Sequence, residues 1–138
     1  MTEVADALAQ QMWDFVFAYD AAYDRAAQVA GLSAAQACLL EHLSRGSRSM
    51  GELALELSCD ASNVTQLVSR LEARGLVARV PDPDDRRIKR VSITPTGRDV
   101  RGAVRRAFEF PSERIGMLTE QEQRQLSGLL GKVSGRAS

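Results

Sequence analysis

Between Ser49 and Gly75 the sequence encodes two short amphipathic helices almost back to back, a spacing that few folds accommodate. Ser49 with Glu52 reads as a capping box, in which each side chain satisfies a backbone N–H of the other at a helix start. Met50, Leu53, Ala54 and Leu57 follow at three- and four-residue intervals, the pattern of one buried face, and the segment stops near Ser58. Three residues later a second helix is predicted from Ala61 to Arg74, with Val64, Leu67, Val68 and Leu71 on its apolar side. Asp60 or Ser62 is placed to cap its start, and Gly75 suits the C′ position beyond its end. Two short helices joined by a tight turn make a helix-turn-helix, whose second helix projects polar side chains toward base edges of DNA. Ser62, Asn63, Thr65, Gln66, Ser69 and Arg70 are the candidates for that role. Such a concentration of middling helix formers is odd on a purely structural surface, but these groups hydrogen-bond well to bases and phosphates.

Beyond Gly75, Leu76 to Val80 and Ile88 to Thr94 are rich in β-branched residues and flank Pro81-Asp82-Pro83-Asp84-Asp85-Arg86-Arg87, a turn-forming run. A β-hairpin with a charged tip follows from that pattern. The chain as a whole is neutral, with 18 Lys+Arg against 18 Asp+Glu, yet its charge is unevenly placed. Residues 1–45 carry −4, whereas residues 86–107 hold Arg86, Arg87, Lys89, Arg90, Arg98, Arg101, Arg105 and Arg106 against Asp99 alone, or +7. A local excess of that size suits a polyanion, because phosphate contacts supply most sequence-independent binding to nucleic acid; on its own it is equally the mark of a solvated helix face.

The remaining segments read as helices. Val4, Leu8, Met12, Phe15, Tyr19, Tyr23, Ala26 and Val29 form one helical stripe over about thirty residues, ended by Gly31. At 1.5 Å per residue that helix spans roughly 40 Å, long enough to pack on a partner chain. Ser33 with Gln36 opens a helix carrying Leu39, Leu40 and Leu43, and Thr119 with Glu122 opens a last one carrying Leu126, Leu129, Leu130 and Val133. Thr94 and Pro95 begin a helix with Val100, Ala103, Val104, Ala107 and Phe108 on its apolar side, which Pro111 should end or kink. A length of 138 residues with 44% apolar content suits one domain with a real core. Two cysteines and one histidine exclude a zinc finger, and no Gly-rich phosphate loop or nucleophile motif supports an enzyme. No cofactor or metal is expected. Apolar runs are short, and Asp6 and Asp14 interrupt the N-terminal segment, so the expectation is a cytoplasmic protein without a membrane partner.

This order of elements resembles the MarR family of bacterial winged helix-turn-helix transcription regulators. Residues 60–77, DASNVTQLVSRLEARGLV, resemble the family's recognition helix and its exit; residues 82–97, DPDDRRIKRVSITPTG, resemble its wing and the Thr-x-x-Gly that follows. Leu32-Ser-Ala-Ala-Gln36 and Leu118-Thr-Glu-Gln-Glu122 match two further helix starts, so the likeness covers nearly the whole chain. The resemblance implies a mainly α fold, a winged helix-turn-helix with a two-stranded β-wing. It further implies one domain over 1–138, with 1–32 and 108–138 as dimerisation helices and 33–107 as the DNA-binding lobe and linking helix. The implied partners are a second copy of the chain, a pseudo-palindromic double-stranded operator and a small aromatic or phenolic effector. The implied function is that of a repressor released by such a ligand. At the wing, Asp85 would orient Arg87 into the minor groove, with Arg86 beside it.

Other readings fit the same residues. Cys38 and Cys59 suit small buried hydrophobes, but a thiol switch at Cys59 would disturb the reading helix and make a redox-responsive regulator. A winged-helix module for protein interaction would carry acidic or apolar residues at 62–70, where polar ones stand. His42 has no ligand partner at helical spacing beyond Glu41 and reads as a core or surface histidine.

Overall fold

A computed structural model describes residues 2–135. The elements run α1 (Glu3–Val29), α2 (Ala34–Leu43), β1 (Arg48–Ser49), α3 (Met50–Glu56), α4 (Ala61–Ala73), β2 (Val77–Pro81), β3 (Lys89–Ile93), α5 (Pro95–Ala107), α6 (Ser112–Ile115) and α7 (Glu120–Val133). Two compact units share the chain, one taking it up to Tyr19 and from Glu109 onward, the other Asp20–Phe108.

The second unit holds the core. Leu39, Leu40 and Leu43 of α2, Leu53 of α3, Val64, Val68 and Leu71 of α4, and Val91 of β3 are fully buried together, with Val104 of α5 closing one side. Burying each such side chain is worth about 1.5–3 kcal/mol, which makes this cluster the main source of stability. Both expected capping boxes form here, at Ser33/Gln36 and Ser49/Glu52. Of the two candidate caps for α4, Asp60 is the one used: its carboxylate accepts from the Asn63 N–H at 2.8 Å. That bond and the Ser62 hydroxyl hold the Asp60 carboxyl below its usual range.

Helices α1 and α4 both end in paired backbone bonds around a left-handed glycine. Leu32 N–H donates to Ala27 and Gly31 N–H to Gln28, with Gly31 at φ +74°; Leu76 and Gly75 repeat the arrangement on Leu71 and Glu72. The strands form one antiparallel sheet in the order β1-β3-β2, with Val77 opposite Ile93 and Pro81 opposite Lys89. Strand β1 was not legible in sequence because two residues show no alternation; it is fixed instead by pairing Arg48 with Val91 and Ser49 with Arg90.

The junction of β2, β3 and α5 explains the Thr94-x-x-Gly97 motif. Thr94 N–H donates to the Leu76 carbonyl at 3.1 Å, its hydroxyl donates to Gly75 at 2.6 Å, and its oxygen accepts from Gly97 N–H at 3.0 Å. The first turn of α5 is thereby drawn onto the chain at Leu76. A Cβ on Gly97 would lie 2.0 Å from the Leu76 carbonyl oxygen, so the approach admits no side chain.

Two expectations shift. The α1 stripe turns inward at Ala26 and Ala27 and leaves Val29 74% exposed, and the last turn is closed by Leu32 N–H on the Ala27 carbonyl. Helix α5 ends at Ala107, ahead of Pro111, and a four-residue helix starts at Ser112. In the other unit Phe15 packs on Phe110 with ring centroids 5.1 Å apart, and Thr119/Glu122 caps α7 as expected. Apolar side chains there are largely uncovered: Val4, Leu8, Trp13, Phe17, Leu129 and Val133 are all exposed, and α7 buries none of its residues.

Candidate nucleic-acid interface

Helix α4 buries Val64, Val68 and Leu71 and exposes all six of the polar residues singled out from sequence, Ser62, Asn63, Thr65, Gln66, Ser69 and Arg70. Their bonding differs. Ser62 hydroxyl donates to Asp60 Oδ1 at 2.8 Å, Thr65 hydroxyl donates to the Ala61 carbonyl at 2.8 Å, and Ser69 Oγ accepts from Arg79 Nη2 at 2.8 Å. Arg79, on β2, also reaches Glu72 at 3.6 Å, so the wing's first strand is tied to the flank of α4. Asn63, Gln66 and Arg70 border an open recess of ≈ 280 Å³ whose other walls are Ala35, Cys59 and Leu67.

The wing tip is built on Asp82. Its Oδ1 accepts from the N–H groups of Asp84 and Asp85 at 2.8 and 3.2 Å, a side chain standing in for a backbone turn. These bonds, Asp84's first, keep the Asp82 carboxyl below its ordinary range. The loop closes through Asp82 N–H to Ile88 and Ile88 N–H to Asp85. Asp85 and Arg87 then meet in a fork: Nε donates to Oδ1 at 3.1 Å and Nη2 to Oδ2 at 3.2 Å. The guanidinium beside it holds the Asp85 carboxyl down, so the pair stays charged through the neutral range. The Arg87 side chain is 90% exposed, bonded to Asp85 yet open to solvent, and Arg86 is exposed next to it.

Two of the eight basic residues counted between 86 and 107 do internal work. Arg90 donates through Nε to Ser47 Oγ at 3.0 Å and through Nη2 to the Ser47 carbonyl at 2.9 Å, and it lies 3.4 Å from Asp82 and 3.6 Å from Glu52. Arg101 grips Glu41 with both nitrogens, Nε at 2.7 Å and Nη2 at 3.1 Å, pinning α5 to α2 and lowering the Glu41 pKa. The outward set is Arg86, Arg87, Lys89, Arg98, Arg105 and Arg106.

A further anchor was not foreseen in sequence. Arg74, which ends α4, donates from Nη1 to the Gly31 carbonyl at 2.8 Å, supplying the cation that the last turn of α1 lacks. The only sequence cue was that absence of a basic residue near Gly31, and nothing in it named the donor. His42 Nδ1 lies 3.3 Å from Glu56, a carboxylate already bonded by Arg48 Nε at 2.9 Å. Both cysteines are half-buried; burial pushes the Cys38 thiol pKa up, and Cys59 faces the recess beside α4. Among the described residues no helix is long and apolar enough to cross a membrane.

Comparison with known proteins agrees with this geometry. A family model described as the MarR family matches residues 30–88. The transcriptional activatory protein BadR of Rhodopseudomonas palustris is 41% identical over 80 residues, 55% of this chain and 46% of that protein. The HTH-type transcriptional repressor MdtR of Bacillus subtilis is 31% identical over 112 residues, 78% of this chain and 70% of the repressor. The chain spans about half the length of several curated relatives it matches. A mutant MarR from E. coli, solved in complex with operator DNA, shares 25% identity at a TM-score of 0.71, over 92% of this chain and 93% of that one. With a helix-turn-helix, a wing whose tip carries the Asp85–Arg87 pair, and likeness to MdtR over most of both sequences, the chain belongs to the MarR family of winged-helix transcription regulators.

Proposed function

We propose that this protein is a sequence-specific DNA-binding regulator that acts as a homodimer in the cytoplasm, a repressor whose operator affinity falls when a small aromatic ligand binds. The observation that carries the DNA-binding reading is the pairing of an exposed polar face on α4 with an exposed, pre-oriented guanidinium at the wing tip. The first matches the chemistry of base edges in a major groove, the second the negative potential of a narrow minor groove. Likeness to a MarR crystallised with operator DNA supports the same reading.

Dimerisation through residues 1–32 and 108–138 is supported by apolar side chains that the described chain leaves largely exposed, among them Val4, Trp13 and Phe17 on α1 and Leu129, Leu130 and Val133 on α7. Exposed apolar surface of that extent marks an interaction site. Residues 33–107 would then serve as the reading lobe with its linking helix, and a two-fold dimer would require half-sites roughly 34–36 Å apart. A ligand that fixes the two lobes at another separation releases the DNA, and a coupling of about 1–3 kcal/mol suffices.

One relative is named as an activator and another as a repressor, which makes activation the second reading. The experiment is a fluorescence-anisotropy titration of the full chain with duplex DNA flanking its own gene, repeated with phenolic and benzoic acids present. Saturable binding at a stoichiometry of two chains per duplex, weakened by one of those ligands, is the expected result. No preference over random duplex would refute the reading, and a reporter driven by the bound promoter separates repression from activation.

A further inference from the structure

The six exposed polar side chains of α4 form two rows. Ser62, Thr65 and Ser69 make one, Asn63, Gln66 and Arg70 the other. Each row has the spacing i, i+3, i+7 and therefore occupies an arc of about 60° on the helix surface. The first row is committed: its hydroxyl groups bond Asp60, the Ala61 carbonyl and Arg79. The second row has no side-chain hydrogen bond or ion pair among the described residues, and the recess between it and Ala35 leaves it unobstructed. A base edge that meets Asn63, Gln66 or Arg70 displaces only water, whereas one that meets Ser62 or Thr65 competes with a bond already made. The chemistry of the rows differs in the same sense. A carboxamide offers one acceptor and one donor side by side, matching N6–H and N7 of adenine, and a guanidinium offers two parallel donors, matching O6 and N7 of guanine. A single hydroxyl fits either base and discriminates little.

We propose that Asn63, Gln66 and Arg70 are the base-reading row, and that each operator half-site presents adenine to the amides and guanine to Arg70. The seven residue steps from Asn63 to Arg70 span about 10 Å of helix. For a helix lying along the groove, the guanine therefore stands about three base-pair steps from the base under Asn63. Ser62, Thr65 and Ser69 hold the helix in shape and meet the backbone. This rests on the DNA-binding reading above and assigns its specificity.

The test is selection from a pool of randomised duplexes with the full chain, run for the wild type, for Gln66→Ala and Arg70→Ala, and for the triple variant Ser62→Ala, Thr65→Ala, Ser69→Ala. Melting temperatures are compared first, and the two single changes remove no internal bond. The wild type should enrich a two-fold motif with adenine and guanine at the stated spacing. Arg70→Ala should lose the guanine preference and bind the wild-type site roughly tenfold or more weakly. Gln66→Ala should lose an adenine preference, while the triple variant keeps the wild-type motif. A motif unchanged in Arg70→Ala or Gln66→Ala, or lost in a folded triple variant, overturns the assignment and leaves DNA binding standing. A wild type that enriches no motif overturns both.

Discussion

Gly97→Ala adds one methyl group at the point where α5 meets the end of the helix-turn-helix. An ideal Cβ there lies 2.0 Å from the Leu76 carbonyl oxygen, 3.0 Å from its carbon and 2.8 Å from Ile93 Cγ1. Carbon and oxygen need about 3.3 Å, so the first turn of α5 must move by more than 1 Å. That carbonyl is also the acceptor for Thr94 N–H, and Thr94 in turn caps α5 and bonds Gly75. Overpacking costs about 1–3 kcal/mol, and weakening the backbone bond and the cap adds about 1 kcal/mol for each. Against this stands the better helix propensity of alanine, about 1 kcal/mol. The clash wins, with a net loss of about 2–4 kcal/mol. At roughly 3 °C per kcal/mol for a chain of this size, the melting temperature should fall by about 10 °C. Far-UV circular dichroism at one fixed protein concentration reads it, with Gly51→Ala as control, because a Cβ on Gly51 meets nothing within 4 Å. A Gly97→Ala chain that melts at or above the wild type, with the control no lower than the wild type, would show that the approach of α5 to Leu76 is not the constraint described.

Arg87→Ala should weaken operator binding by about 1–3 kcal/mol while leaving the melting temperature within a degree or so of the wild type, since an exposed ion pair contributes little to folding. Asp85→Asn should weaken binding less than Arg87→Ala; tighter binding would mean that Asp85 acts only as a repulsive charge. Arg101→Met removes both donors to the half-buried Glu41 and should lower stability by about 1–3 kcal/mol in urea unfolding, whereas no loss would mean that α5 is held by packing alone. The carboxyls of Glu41, Asp60, Asp82 and Asp85 all lie below their ordinary values when folded, so the stability they give is complete above about pH 4–5 and lost as pH falls through the lower folded values. Thermal melts should be level on their account from pH 8 to 5 and drop below pH 4, and a rise on acidification would contradict the assignments. N-Ethylmaleimide at pH 7 should modify Cys59 ahead of Cys38, whose thiol burial pushes up, and block DNA binding because the adduct lies against Asn63, Gln66 and Arg70; unchanged affinity in the modified protein would refute that placement.

Most of the fold was legible because each element announces its own ends. Three capping boxes, Thr94-Pro95, Gly31 and Gly75 mark boundaries through local bonding, and Val64, Val68 and Leu71 mark the buried side of α4 through helical period. What was not legible depends on residues far apart in sequence. Strand β1 exists only as a partner of β3, and the cation at the end of α1 comes from Arg74, forty-three residues beyond Gly31. At the candidate interface, residue type told which groups can bond to DNA but not which already bond within the chain, as Ser69 does to Arg79 and Arg101 to Glu41.

That difference bears on how the charge pattern is to be read. Arg74, Arg79, Arg90 and Arg101 are as basic as Arg86 and Arg98, yet each ties one element to another: α4 to the end of α1, β2 to α4, β3 to the loop before β1, and α5 to α2. What separates these ties from the outward-facing cations is an acceptor in reach, a carboxylate for Arg79, Arg90 and Arg101 and exposed helix-end carbonyls for Arg74. Part of the chain's neutrality is therefore spent internally, holding the reading helix and the wing in a fixed relation within one lobe. A guanidinium serves both purposes because its fork geometry bonds carboxylates, carbonyls and phosphates alike. The wing tip combines the two, since Asp85 fixes Arg87 without burying it. Part of its conformational cost is thus met before any DNA arrives, and replacing Arg87 by lysine would lose more than a change of shape, because a single ammonium cannot be held by both oxygens of Asp85 and still present a flat edge outward.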